Sequence, residues 1–321
     1  MFAIVLAAAA AATAATPLRF PAAAPVVMDY LAADGARVWA PGGNTGKVFL
    51  LEGGKFKSVD GFATKEGRNK MMMGPSSVTV GKGAVYVGNR GDSKIWAIDS
   101  KSLEKKGSVA MPSTPDGTFY VASTNEVWVT TPRDNSIQIV DVKDPAALKI
   151  VGQIAADGPE GYAVDASKGI VYTNLEDKDA TVAIDAKTRK IVSTWEHTCG
   201  KDGPRGLAID EQRGILFVGC ATQGLLALDA RTGARKGRIE TGEGVDNIDY
   251  LPSKRLLYAT AGRSEKLTVA HLEDDGSLKV VTTTPVGKGS RVVVSTEDGT
   301  AYAADSAGGQ LWVLKLSPGA P

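Results

Sequence analysis

Apolar residues in this chain fall in short runs, not at helical spacing. The stretch IVYTNLEDKDATVAID (170–185) shows the unit: a run of strand length, a polar break, and a second run closing on an acidic residue. Runs rich in β-branched and aromatic residues, broken by Gly, Asp, Asn and Lys, predict strands joined by tight turns. Aligned on the last residue of the second run, the unit recurs as KVFLLE (Glu52), KIWAID (Asp99), IQIVD (Asp141), TVAID (Asp185), LLALD (Asp229), LTVAH (His271) and LWVLK (Lys315). Successive anchors lie 47, 42, 44, 44, 42 and 44 residues apart.

Each copy holds four strand-length pieces, as in GPRGLAID, GILFVGC, GLLALD and ARKGRIE around Asp229. Four strands in a unit of roughly 40–45 residues is the blade of a β-propeller. The expected fold is therefore all-β, a seven-bladed propeller of four-stranded antiparallel blades, with 170–185 as strands b and c of the fourth. After LWVLKL only SPGAP remains, so the seventh copy lacks its outermost strand. The segment PLRFP (Pro17 to Pro21) is free to supply it, which would close the ring and remove the open edge.

The segments VYTNLEDKDATVAID, YVGNRGDSKIWAID and VTTPRDNSIQIVD resemble the YVTN-type bacterial propeller repeat, with its Asn after strand b and its apolar-Ile-Asp ending. The similarity spans nearly the whole chain after residue 16 and weakens in blades one and six. It implies a secreted seven-bladed propeller, often without assigned catalysis. Related propellers include lactonases, quinone-dependent dehydrogenases and partner-binding scaffolds.

Composition narrows the classes. Thirty-seven Lys and Arg against 36 Asp and Glu give a formal charge of +1, and no basic run supplies a nucleic-acid or membrane-surface footprint. The apolar stretch from Phe2 to about Ala12, followed by Ala12-Thr13-Ala14 as an A-x-A site, predicts a leader over 1–16 despite lacking a basic start. Residues 17–321 then form one propeller domain, exported to the periplasm or beyond, with no membrane span and as a monomer.

Antiparallel order places the d-to-a and b-to-c connections on one face, called the top. The start of each strand a there lines the mouth of the central channel. The six G-P-x-G-like turns put Ser76, Asp116, Glu160, Arg205, Asp246 and Arg291 at equivalent places, with Val26 in blade one. Arginines suit an anion, and carboxylates accept from hydroxyls or hold a cation. A second ring at the ends of strand b includes Asn89 and Asn174. These either serve the turn or, with Asp116 and Glu160, form an oxygen site for Ca²⁺ like that of gluconolactonase-like propellers.

Cys199 and Cys220 both belong to the top of blade five, and in an exported chain such a pair predicts a disulfide. The alternative is a copper or zinc site from His197, Cys199 and Cys220, to which the thioethers of Met71, Met72 and Met73 would add soft ligands. With two His in the chain, His197 and His271, a His-rich centre is excluded. No G-x-S-x-G elbow or phosphate loop occurs. The segments LDARTGARKG and IDAKTRKIVSTW read as c–d turns, not as quinone-binding repeats.

Three function classes follow. The favoured one is a binding or scaffold protein whose top-face mouth takes a small polar ligand or a protein partner. The second is a metal-assisted lactone or ester hydrolase. The third is a copper-handling redox protein.

Overall fold

A computed structural model describes residues 14–67 and 70–316. The predicted leader, apart from 14–16, and the terminal residues 317–321 lie outside the described residues. Seven four-stranded antiparallel sheets stand side by side. Blades one to six run over 32–59, 75–110, 118–155, 159–196, 204–239 and 245–285. Blade seven has three strands within 293–314, and its outermost strand is Thr16–Arg19, paired antiparallel with Gln310–Leu314. The ring is thus closed by the N-terminal strand, and 170–185 are strands b and c of blade four (Ile170–Leu175 and Ala180–Asp185).

Position within a blade dictates composition. The middle strands are covered on both faces by the neighbouring blades, so Ile215–Cys220 is buried at every residue and reads as an unbroken apolar run. The outermost strands are not so covered; Lys149–Ala155 and Lys190–Glu196 leave Ile150, Val151, Ile191 and Val192 exposed. Between blades the faces interlock. Trp39, Val48 and Leu50 of blade one pack with Val78, Val85, Val87 and Ile98 of blade two.

The acid that closes strand c has a local task. Asp99 accepts from the backbone N–H groups of Lys101 and Ser102, Asp185 from Thr188, and Asp229 from Arg231 and Thr232. Each side chain fixes its own c–d turn. Those N–H bonds and, at Asp229, chiefly the Thr232 hydroxyl hold the three carboxyls below the usual range. The periodic Asp is therefore structural.

Two features depart from a plain ring. A short hairpin, Lys65–Glu66 with Met72–Met73, is inserted between blades one and two. The other is a disulfide between Cys199 and Cys220, with Cα atoms 5.0 Å apart.

Candidate functional site

Strand a begins on the top face with a local irregularity that aims side chains at the channel. Pairing between strands a and b shifts register between Pro75 and Ser77, Glu160 and Ala163, Pro204 and Leu207, and Val245 and Ile248. Ser76, Glu160, Arg205 and Asp246 all sit at these bulges, which re-aim a side chain. At Gly161, φ is +60° and an added Cβ would lie 1.9 Å from the carbonyl oxygen of Arg205. Only glycine lets the next blade approach so closely.

The ring residues meet in a belt of charge to which every blade contributes. Arg90, from the b–c turn of blade two, pairs with Asp116 of blade three and, at 2.7 Å, with Asp29. Asp29 also pairs with Arg291 at 3.4 Å, and Arg291 with Asp246 at 2.9 Å. Arg205 is ion-paired with Glu176 in the b–c turn of blade four. Across the channel the Tyr30 hydroxyl donates to Glu160 Oε2 at 3.0 Å.

Burial governs the titration of this belt. Desolvation, then the nearby Asp116 and Asp246, pushes the Glu160 carboxyl up to about 9, so it is a neutral acid at pH 7. Desolvation raises Asp116 to about 6, against the opposing charge of Arg90. Asp246 is also raised, chiefly by burial, while Arg291 pulls it down.

Sequence reasoning placed blade one's contribution at Val26, and the structure corrects that. Val26 is fully buried in the apolar core, and Asp29 and Tyr30 occupy the mouth instead. Arg90 and Glu176 were also missed. Their signal was a charged residue directly after strand b, in GNRGD and TNLED.

Other candidates turn inward. Ser76 is buried and donates to Gly88 O. Asn89 donates to Ala63 O and Asp92 and accepts from Gly91 N; Asn174 donates to Arg205 O and accepts from Thr181. Both amides hold loops together. With guanidiniums between the carboxylates and Glu160 driven towards its neutral form, these residues do not fit a hard cation. Among the described residues no three His, Cys, Asp or Glu side chains converge to hold a metal ion. In the disulfide neither cysteine is a thiolate, and His197 Nε2 bonds Thr181 Oγ1 at 2.6 Å, so the soft-ligand trio is not assembled. His271, on the opposite face, lies 3.1 Å from Glu273.

Above the belt opens a cavity of about 480 Å³, lined by the methionine hairpin, Met28, Asp29, Ser76, Arg90, Arg133 and Arg291. Met71 and Met72 are 51% and 38% exposed. They form an apolar lip. The Arg133 side chain has no hydrogen bond or ion pair with the described residues. Beneath, Tyr30 stacks on Tyr162 and Tyr162 on Phe119, and the channel continues as a space of about 300 Å³ lined also by Asp249 and Tyr250.

Comparison with known proteins supports the architecture. No family model matches the chain, and no curated protein matches it. Solved structures do. A chain of a Mitotic Checkpoint Complex is 14% identical with a TM-score of 0.79, covering 96% of this chain and 93% of that one. The virginiamycin B lyase from Staphylococcus aureus is 13% identical with a TM-score of 0.73, covering 94% and 99%. The β-propeller domain of Myceliophteria thermophila Cps50 (Swd1) is 11% identical with a TM-score of 0.72, covering 94% and 99%. The TM-scores establish a shared propeller fold, and at identities this low they show the fold alone.

Proposed function

We propose that this chain is an exported binding or scaffold propeller of the YVTN-repeat type, taking a polar ligand or a protein partner at the top-face mouth. The observation that carries the reading is the 480 Å³ cavity, where exposed Met71 and Met72 stand beside the guanidiniums of Arg90, Arg133 and Arg291. An apolar lip next to fixed donors is the composition of a recognition site. Methionine adapts its shape to different contacts, and arginine supplies direction. The belt below holds Arg90 and Arg291 from behind through Asp29, so their orientation is set before anything binds.

The disulfide supports export, because such bonds persist in oxidising compartments. Similar folds include a component of a complex and a lyase, so the choice rests on the site. Among the described residues the side chains that could act as a base are engaged elsewhere: His197 bonds the buried Thr181, and Glu160, raised by burial, bonds Tyr30.

The test is a panel of small polar molecules and acidic or apolar peptides, read by ligand-observed NMR on the wild type, Met72→Glu and Arg133→Glu. Binding that weakens at least tenfold in either variant supports the reading. Binding that both variants leave unchanged places the ligand elsewhere and overturns it.

A further inference from the structure

A second top-face cleft, of about 330 Å³, lies where blades five, six and seven meet. Four cationic side chains line it: Arg205 at the start of blade five, Arg263 after strand b of blade six, and Lys288 and Arg291, both in the connection from blade six to blade seven. A single carboxylate, Asp246, is among the lining residues. Sequence alignment of the turns picked out Arg205 and Arg291 but not Arg263 or Lys288.

Three of the cations are held by carboxylates, Arg205 by Glu176, Arg263 by Asp202 at 2.6 Å, and Arg291 by Asp246 and Asp29. Arg205 and Arg263 each use only one terminal nitrogen in these pairs. A guanidinium has five N–H donors, so donors remain in a fixed fork. Lys288 is exposed and has no hydrogen bond or ion pair with any described residue. The rest of the wall is apolar and mostly small: Ala221, Gly244, Val245, Gly262 and Gly289. A Cβ on Gly289 would meet nothing within 4 Å, so the space before it is open.

We propose that this cleft is a subsite for an oxyanion, a carboxylate or phosphate group of the ligand, with Lys288 and Arg263 as its unassigned binding residues. Glu176, Asp202, Asp246 and Asp29 offset the three guanidiniums, so the pull on negative charge rests on the Lys288 ammonium and on the guanidinium N–H donors that these carboxylates leave unused. The unpaired ammonium is a ready point-charge partner, and the tethered guanidiniums supply bidentate geometry. The proposal deepens the reading of the top face as the binding face and rests on it. Arg291 lines both this cleft and the methionine-lipped cavity, so one ligand can present its anionic group here and its apolar part there.

The experiment is isothermal titration of the full chain with pyrophosphate and with citrate, at ionic strength matched by sodium chloride. It is repeated on Lys288→Gln, Arg263→Gln, the double variant, and, as a control on the exposed outer strand of blade four, Ile191→Thr. We expect saturable binding of at least one anion, at least fivefold weaker in each single variant, weaker still in the double variant, and unchanged in Ile191→Thr. Circular dichroism checks that each variant is folded. Absence of binding to either anion, or binding unaffected by the double variant, overturns the subsite. If neither anion binds while a ligand from the panel above still depends on Met72 and Arg133, the subsite fails and the binding face stands.

Discussion

Glu160 shows how a single residue can be read wrongly from its type. A carboxylate at a channel mouth suggests a charge offered to a ligand, yet burial beside Asp116 and Asp246 pushes this one up to about 9. In the unfolded chain it titrates near the ordinary value of 4.5. The folded form therefore holds a proton that the unfolded form has lost between those values. The group's contribution to stability is complete below the lower one and declines as pH rises through the upper one. Glu160→Gln keeps an acceptor for Tyr30 and removes the titration. Wild-type stability should fall relative to this variant by on the order of 1 kcal/mol per pH unit from about pH 5 to 9. Urea melts at several pH values measure it, and parallel curves would refute the protonated state.

Arg90 sits between two nearly buried carboxylates, Asp29 and Asp116. Arg90→Met should destabilise by about 3–5 kcal/mol, because it strands buried charge. Arg133→Met, at a residue without a partner among the described residues, should change stability by about 0.5 kcal/mol or less. Equal effects in chemical denaturation would contradict the belt. A free arginine clamp predicts tolerance of alanine at Arg291; its ion pairs to Asp29 and Asp246 reverse that expectation. The sequence could not show this, since Asp29 and Arg291 are neighbours only because the ring closes.

At the scale of elements the strands were legible, because turn chemistry and two-sided burial leave a period that a single sequence displays. Blade one was misaligned where its inner strand lacks the glycine that stands within two residues of the aligned position in the other six, and so Val26 stood in for Asp29. The place of the methionine hairpin at the mouth was not legible, because three adjacent apolar residues carry no mark of exposure. The disulfide was legible, since the blade pattern puts both cysteines on the same face. It closes a loop with a sequence separation of 21 residues, for which about 3 kcal/mol of stabilisation is expected. Cys199→Ala with Cys220→Ala should lose that amount, and a thiol titration of the denatured, unreduced wild type should find no free thiol. Two titratable thiols would contradict the bond.

At the scale of the molecule, stability is shared around a ring whose seventh sheet is completed from the other end of the described chain. Removing 14–19 should expose the edge of Gln310–Leu314, lower the urea midpoint and promote self-association. An unchanged midpoint with a single monomeric species in analytical ultracentrifugation would show that the closure contributes little.

The same closure imposes an order in time. Blades one to six can assemble from neighbouring segments, but the seventh needs Thr16–Arg19 to meet Gln310–Leu314 across the whole intervening chain. Such distant contacts are slow to form, though their entropic cost grows only gently with length. In a chain made from its N-terminus, the strand synthesised ahead of every blade is thus among the last to find its place, and until then it is a tether with a vacant edge waiting for it.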